Sequence, residues 1–340
     1  MEIFLDKNEN PFEMPASLKK IIVERLAALP FNRYPDPGYR SLREKIGLFC
    51  GFPADSIVPG NGGDEVLLMA FSAFTKPGDT VLAFTPTFSE YPRLADLFHV
   101  RFSTVAADLS GDEPFFDFPL FLERARREKP SLILLDTPNN PTGKRLPDEF
   151  LEQVLSSCPA MTIIDEAYGE FASGTFLERC RKKGLPENAL ILKTFSKAFG
   201  LAGIRLGYAV CGGNAAGNLN AVKSLFNVNV LTCTIAETIL DHPAAALDGS
   251  VEIQRTRDWF VGAVNGLRGW RAFPGEGNFV LVRGRPSKEA IRKAAEERGI
   301  SLKYPALDGV SEDWCWIRVT VGTKAEMGCV LEFLAGFPQS

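Results

Sequence analysis

Between residues 41 and 208, short apolar runs alternate with amphipathic segments of helical period. The predicted strands in this part lie at 80–84, 131–136, 161–165, 190–194 and 204–210. The predicted helices lie at 41–52, 64–74, 88–97, 119–128 and 147–156. Strands that are apolar on both faces are typical of a parallel sheet with helices on either side. We therefore predict an α/β protein built on a mostly parallel sheet.

Polar residues follow the ends of three of these runs. They are Asp136-Thr-Pro-Asn-Asn140, Asp165-Glu-Ala-Tyr168 and Thr194-Phe-Ser-Lys197. Ligands of open α/β sheets bind at the carboxyl ends of the strands. This edge of the sheet is therefore the predicted site.

The regular alternation of strands and helices ends after residue 210. The predicted elements that follow are helices at 215–225, 231–240 and 251–267, then a strand at 279–282, a helix at 287–298, a strand at 316–321 and a helix at 324–333. We expect a large domain over residues 41–240 and a small α+β domain over residues 241–340. Residues 1–40 are rich in proline and predict an N-terminal arm with one helix at 17–29.

Charge and composition exclude several function classes. There are 38 Lys and Arg against 42 Asp and Glu, so nothing indicates a nucleic-acid partner. No apolar run is long enough for a membrane span. The seven cysteines contain no C-x-x-C pair, which favours reduced thiols in a cytoplasmic protein. With only His99 and His242, a His-rich metal site is excluded, and no metal is expected.

Lys197 directly follows an apolar run, among small residues, and Arg205 lies a little further on. A lysine that is partly desolvated beside a cation has a depressed pKa and can form a Schiff base with an aldehyde. A helix N-terminus with a solvated basic residue would show the same pattern. This segment alone does not separate the two interpretations.

Asp165 ends a predicted buried strand, where an acid is costly unless it is paired. It is suited to holding a protonated pyridine nitrogen, so that the ring can act as an electron sink. Tyr168 is suited to bonding the phenolic oxygen of such a ring. Capping of the next helix is the alternative for Asp165. A Walker-type Mg²⁺ site is not supported, because the chain has no G-x-x-x-x-G-K-[ST] loop.

Two loops add to this pattern. The turn Pro138-Asn-Asn-Pro-Thr-Gly143 either presents the amide of Asn140 to a ligand or is a plain tight turn. The segment Gly60-Asn-Gly-Gly-Asp64 leads into a predicted helix. Its N–H groups would suit a phosphate monoester, although a generic strand–helix link looks similar.

Taken together and in this order, these segments resemble the fold-type I pyridoxal-phosphate enzymes of aminotransferase class I/II, and histidinol-phosphate aminotransferases in particular. The similar stretches are Asn8-Glu-Asn-Pro11, Arg33-Tyr-Pro35, Gly62-Gly-Asp-Glu65, Pro138-Asn-Asn-Pro-Thr-Gly143, Asp165-Glu-Ala-Tyr168, Thr194-Phe-Ser-Lys-Ala-Phe199, Asn227-Val-Asn229 and Arg318-Val-Thr-Val-Gly322. The resemblance covers essentially the whole chain. It implies the PLP-transferase fold, with a seven-stranded sheet in the large domain, and pyridoxal 5'-phosphate as the cofactor.

The resemblance also implies roles around the cofactor ring. Lys197 would hold the cofactor as a Schiff base and move the Cα proton of the substrate. Asp165 would pair the pyridinium nitrogen, while Asn140 and Tyr168 would bind the ring oxygen. Tyr91 would stack on the face of the ring.

Further roles concern the phosphate and the substrate. The implied phosphate ligands are Gly63, Asp64, Thr194, Ser196, Arg205 and, from a partner subunit, Tyr34. A homodimer is therefore the expected working unit. Arg318 would bind a substrate carboxylate, because an arginine in the apolar run 316–321 needs an anionic partner. Lys303 stands where the family has a phosphate-binding arginine.

The reaction implied by the resemblance is transamination. The small-molecule partners would be an amino acid or amino-alcohol phosphate as the donor, similar to histidinol phosphate, and 2-oxoglutarate as the 2-oxo acid acceptor. The alternative is a decarboxylase similar to threonine-phosphate decarboxylase, because Gly60-Asn-Gly62 and Thr87-Phe-Ser-Glu-Tyr91 resemble that branch too. The two reactions differ in which Cα bond stands perpendicular to the ring, and the sequence leaves both open.

Overall fold

The computed structural model describes residues 2–307 and 314–337 of the chain. Its strands are β1 (Ile3–Leu5), β2 (Ile57–Gly60), β3 (Thr80–Thr85), β4 (Arg101–Ala106), β5 (Leu132–Asp136), β6 (Met161–Asp165), β7 (Ala189–Thr194), β8 (Gly207–Cys211), β9 (Trp270–Ala272), β10 (Phe279–Gly284), β11 (Ile300–Leu302) and β12 (Cys315–Thr320). Its helices are α1 (Ala16–Ala27), α2 (Arg40–Cys50), α3 (Gly63–Phe74), α4 (Glu90–Leu97), α5 (Phe118–Glu128), α6 (Asp148–Ser157), α7 (Phe176–Lys183), α8 (Ala215–Val222), α9 (Val230–Leu240), α10 (Pro243–Leu247), α11 (Ser250–Asn265), α12 (Lys288–Glu297) and α13 (Lys324–Ala335).

A seven-stranded sheet forms the centre of the fold, in the order β2-β8-β7-β6-β5-β3-β4. Within this sheet β8 runs antiparallel to both neighbours, and the remaining pairs are parallel. Strands β5 and β7 are buried at every position, because helices cover both faces. The predicted α/β class, the mostly parallel sheet and its seven strands are thereby confirmed.

The end of the sheet near β8 differs in detail from the sequence pattern. The pattern predicts one strand over 204–210, whereas the structure has a 3-10 turn at Ala202–Ile204 and begins β8 only at Gly207. Arg205 lies between them in the left-handed region, with φ of 53°, and this breaks the extended run. The side chain of Arg205 is thereby placed at the start of β8 instead of within a strand.

The C-terminal part of the chain forms a smaller unit of two sheets. Strands β12, β10 and β9 make an antiparallel sheet, while β1 pairs in parallel with β11. Ile3 and Leu5 of β1 are buried in the same apolar core as α11 and α13. Helix α1, by contrast, packs on α9 beside the large sheet. The structure thus divides residues 1–40 between the two parts, and the predicted boundaries at 40 and 240 stay predictions.

The register of the large sheet aligns the strand ends that matter for the site. Asp136 at the end of β5 lies opposite Asp165 at the end of β6, and Asp165 lies opposite Leu192 of β7. Polar groups from three adjacent strands therefore meet at one edge. Among the residues described, no helix has both the length and the apolar character required to cross a membrane.

Replacing Leu5 by alanine tests whether the N-terminal strand belongs to the small core. Leu5 is almost fully buried, so Leu5→Ala should lower the free energy of unfolding by about 3 kcal/mol. Phe4 in the same strand is 60% exposed, and Phe4→Ala should change it by less than about 0.5 kcal/mol. Urea unfolding of both variants measures this, and equal effects would contradict the pairing.

Candidate active site

The aligned strand ends enclose a cavity of about 190 Å³. Nine of the eleven residues predicted to bind the cofactor line its wall, namely Gly63, Asp64, Asn140, Asp165, Tyr168, Thr194, Ser196, Lys197 and Arg205. Phe88, Leu192 and Asp136, which have no predicted role, also lie on this wall. The sheet therefore brings together most of the residues that the sequence pattern singles out.

Lys197 projects into this cavity from the loop after β7. Its Nζ donates a hydrogen bond to the carbonyl oxygen of Lys7 at 2.9 Å and lies 5.7 Å from the centre of the Tyr168 ring. Burial, helped by the positive charge of Arg318, lowers the pKa of Lys197 to about 8. Near neutral pH a useful fraction of this lysine is therefore the neutral amine, which is the nucleophilic form.

Asp165 is buried at the end of β6, with both oxygens in use. Its Oδ2 accepts a hydrogen bond from the hydroxyl of Tyr91 at 2.8 Å, and its Oδ1 accepts one from the N–H of Ala167 at 3.0 Å. Burial raises its pKa to about 6, and these two donors oppose the shift. The carboxylate is thus held in one orientation at the base of the cavity.

The predicted stacking role of Tyr91 is wrong for this structure. Tyr91 is fully buried, does not line the cavity, and uses its hydroxyl to hold Asp165. Phe88 lies on the cavity wall instead and packs edge-on against Tyr91, with ring centres 5.8 Å apart. Phe88 precedes the first turn of α4, whereas Tyr91 lies within that turn and points into the core. The residue at which α4 begins therefore decides which of these two aromatic side chains lines the cavity.

Asn140 and Tyr168 both lie on the wall of the cavity, and each already has one partner. The Oδ1 of Asn140 accepts from Nη1 of Arg318 at 2.7 Å. The hydroxyl of Tyr168 accepts from Nδ2 of Asn8 at 2.9 Å, and burial raises its pKa to about 12. The pattern assigns no role to Asn8, although it lies in the quoted stretch Asn8-Glu-Asn-Pro11. Its φ of 55° is a conformation that asparagine tolerates better than most residues.

The other end of the cavity is suited to an anion. Helix α3 begins there at Gly63, so its first N–H groups are free of helical partners. Arg205 reaches across to Asp64 at 3.0 Å and to the hydroxyl of Ser196 at 3.4 Å. A Cβ on Gly62, whose φ is 85°, would lie 2.4 Å from Nη2 of Arg205. A glycine is therefore required for the guanidinium to lie over the helix start.

A second, larger cavity of about 810 Å³ adjoins the first and shares Phe88, Asn140, Tyr168 and Lys197 with it. Arg318 lies on its wall, nearly buried, with Nη2 donating to the carbonyl oxygen of Asp6 at 2.6 Å. Its Nε has no partner among the described residues. Burial lowers the pKa of this guanidinium. The guanidinium is therefore held by the chain at both Nη atoms and lies at the cavity wall, where its positive charge favours an anion.

Lys303 also lines the larger cavity, from the strand edge beside Arg318. The two residues are held by backbone hydrogen bonds, with the N–H of Arg318 donating to the carbonyl of Lys303 at 2.8 Å. Tyr34, in contrast, lies outside both cavities, is 80% exposed, and stacks on Phe226 at 4.4 Å. Within one chain Tyr34 does not contribute to the site.

Comparison with known proteins places this geometry in a family. The family model for "Aminotransferase class I and II" matches residues 2–334. The chain belongs to that family. It is thus a pyridoxal-phosphate-dependent aminotransferase of fold type I, which confirms what the resemblance of its sequence implies.

Similar proteins carry a more specific name. Histidinol-phosphate aminotransferase 2 of Nitrosococcus oceani is 35% identical over 98% of this chain and 91% of its own. The histidinol-phosphate aminotransferase of Thermococcus kodakarensis is 36% identical over 95% and 89%. Among solved structures, the histidinol-phosphate aminotransferase from Clostridium acetobutylicum has a TM-score of 0.87 at 23% identity, covering 98% of each chain, and shows likeness of fold.

The smaller cavity of this aminotransferase fits the family's cofactor. It offers an acid for the ring nitrogen, an amine of lowered pKa for the aldehyde, and a helix start with Arg205 for the phosphate. When bound, pyridoxal phosphate supplies an electron sink for the carbon that loses a proton. Asp165 and Lys197 come from adjacent strands, so their spacing is set by the sheet.

The lowered pKa of Lys197 leads to a pH prediction. The neutral amine is the form that would attack the aldehyde, so attachment of pyridoxal phosphate to the apoprotein should speed up as pH rises through about 8. Arg318→Gln removes a nearby positive charge and should move the midpoint to higher pH. Lys303→Gln is the control and should leave it in place. Borohydride trapping and peptide mapping across pH measure the rate, and an unmoved midpoint in Arg318→Gln would reject the coupling.

Proposed function

We propose that this aminotransferase moves the amino group of histidinol phosphate, or a closely similar amino-alcohol phosphate, to 2-oxoglutarate. The observation that carries the proposal is the pair Arg318 and Lys303, both on the wall of the cavity that Lys197 enters. Lys7 adds a further positive charge to this wall, and among the described residues that line it Asp6 carries the one carboxylate. Such a surplus favours substrates with two negative charges, and both proposed substrates carry them at neutral pH.

This proposal gives each residue around the cofactor ring a separate role. Asp165 would pair the ring nitrogen of bound pyridoxal phosphate, and Asn140 and Tyr168 would bind its ring oxygen. Lys197 would take the proton from the substrate Cα, hold it on Nζ and release it again. Its pKa of about 8 suits a group that must both accept and release a proton near neutral pH.

The remaining residues bind phosphate and substrate. The phosphate of the bound cofactor would be held by residues at one part of the smaller cavity, namely Gly63, Asp64, Thr194, Ser196 and Arg205. Thr194 acts indirectly, because its hydroxyl already donates to Leu206 and accepts from the N–H of Ser196. Arg318 would bind a substrate carboxylate near Asn140, and Lys303 would bind the phosphate of the donor or the second carboxylate of 2-oxoglutarate.

We also infer a homodimer in which Tyr34 of one chain reaches the cofactor phosphate of the other. Tyr34, Phe31 and Leu225 are large side chains left mostly exposed in the single chain. An apolar surface of this kind favours a partner. The cysteines support a reducing compartment such as the cytoplasm, because none forms a disulfide and six of the seven are buried.

A decarboxylase on the same scaffold is the second candidate. The L-threonine-O-3-phosphate decarboxylase from Porphyromonas gingivalis has a TM-score of 0.83 at 24% identity, which shows likeness of fold. A panel of amino donors with 2-oxoglutarate, monitored for both glutamate and CO₂, separates the reactions. Glutamate formed from histidinol phosphate supports the proposal, and CO₂ released without glutamate would reject it.

Arg318→Lys tests the recognition of the anionic group next to Asn140. It keeps the charge but loses the planar fork, so the KM for 2-oxoglutarate should rise about tenfold or more, as a lost charge-assisted hydrogen bond is worth roughly 1.5–3 kcal/mol. Lys303→Ala should raise the KM only for donors with a distal anion. Lys288→Ala, which lines a neighbouring groove instead, is the control. Equal effects of Lys303→Ala on phosphorylated and unphosphorylated donors would contradict its role.

The role of Tyr34 is testable with a mixed dimer. Subunits carrying Tyr34→Ala and subunits carrying Lys197→Ala are co-expressed with different tags and purified over both. If Tyr34 acts across the interface, one site of the pair is intact, and activity should return to about half that of the wild type. If Tyr34 acts within its own chain, both sites stay damaged and the mixed dimer is no better than its parents.

A further inference from the structure

Asp136 is a buried carboxylate on the cofactor cavity that neither the sequence pattern nor the proposed mechanism uses. It ends β5, in register with Asp165, and is 5% exposed. A charge in this position is costly unless polar partners surround it. The hydrogen-bond partners of this carboxylate indicate its role.

Three hydrogen bonds converge on this carboxylate. Its Oδ2 accepts from the backbone N–H of Asn140 at 2.8 Å. Its Oδ1 accepts from Nδ2 of Asn139 at 2.9 Å and from the hydroxyl of Thr87 at 3.2 Å. Asp136 thereby joins the loop after β3, which carries Phe88, to the loop after β5, which carries Asn140.

An amide of the same shape cannot replace this carboxylate. The amide of Asn139 is fixed, since its oxygen accepts from both the N–H and the hydroxyl of Thr142 and its Nδ2 also donates to the carbonyl of Pro86. An asparagine at 136 would therefore direct its own NH₂ group either at the N–H of Asn140 or at the Nδ2 of Asn139. In both arrangements one N–H donor would point at another N–H donor. The position therefore needs a side chain whose two terminal atoms both accept hydrogen bonds, as those of a carboxylate do.

Asn140 connects Asp136 to Arg318 on the wall of the larger cavity. Its main chain is held by Asp136, and its side-chain oxygen accepts from Nη1 of Arg318 at 2.7 Å. Because Arg318 holds the side-chain oxygen of Asn140, the same hydrogen bond also fixes the orientation of the NH₂ group of Asn140. The orientation of Arg318 therefore depends on a carboxylate that Arg318 does not touch.

We propose that Asp136 is a positioning residue of the reaction, which fixes Asn140 and the loop bearing Phe88 so that Asn140 serves the cofactor ring and Arg318 together. This proposal rests on the proposed roles of Asn140 and Arg318. It assigns Asp136 no contact with the reacting atoms.

The test is a double-mutant cycle on the holoenzyme. Asp136→Asn should raise the KM for 2-oxoglutarate about tenfold and shift the visible absorbance band of the bound cofactor in the same direction as Asn140→Ala. In the KM for 2-oxoglutarate, the double variant Asp136→Asn/Asn140→Ala should be no worse than Asn140→Ala alone, because the hydrogen bonds connect Asp136 to Arg318 through Asn140. Asp117→Asn, at the N-cap of α5, is the control and should leave both readouts unchanged.

Three results would overturn the proposal. In the first, the effects of the two substitutions on the KM for 2-oxoglutarate multiply, so that Asp136 does not act on Arg318 through Asn140. In the second, Asp136→Asn lowers the melting temperature while KM and the absorbance band stay at wild-type values. In the third, neither Asp136→Asn nor Asp136→Ala folds, which makes the residue structural. If the wild type transaminates no donor, the proposed function fails, and the absorbance band still decides the role of Asp136.

Discussion

Ionisable groups removed from water at one edge of the central sheet determine how the rest of the molecule is built around them. Each buried charge costs several kcal/mol unless partner groups surround it. Asp165 is held by Tyr91 and Ala167, and Asp136 by the loops after β3 and β5. One layer further in, the ammonium of Lys193 lies 2.8 Å from Glu170 and 3.7 Å from Glu166. Burial lowers the pKa of this lysine, but the two carboxylates outweigh that effect and raise it.

This network explains why Asp165 and Lys197, which come from adjacent strands, keep their spacing. Glu166 follows Asp165 directly, and Lys193 lies in β7 shortly before Lys197. The buried ion pair between Glu166 and Lys193 therefore ties the two segments together. Its partners cannot exchange with water, since Lys193 and Glu166 are both almost fully buried. The site is therefore braced by charge pairing as well as by the hydrogen bonds of the sheet.

Much of the fold and of the cofactor cavity is predictable from sequence, because the information is local. A run apolar on both faces, followed by a polar residue, identifies a strand and its carboxyl end without knowledge of any neighbour. The errors arise where the outcome depends on distant packing. Whether Phe88 or Tyr91 faces the cavity depends on where α4 begins, and the contact of Asn8 with Tyr168 joins residues 160 positions apart. The position of Asp136 at a strand end is predictable from the sequence. Its proposed role is not, because it depends on three hydrogen-bond donors that only the folded chain brings together.

The pairing of β1 with β11 has a consequence for the order in which the protein matures. Ile3 pairs with Ile300, so the first strand to leave the ribosome has to wait for nearly the whole chain before it finds its partner. The sheet of residues 57–211 can form earlier, as domains fold progressively during synthesis. Asp6, Lys7 and Asn8, which contact Arg318, Lys197 and Tyr168, follow directly after β1. A nascent chain can therefore hold a nearly complete cofactor pocket before its substrate wall exists, and competence for the reaction arrives only with the last hundred residues.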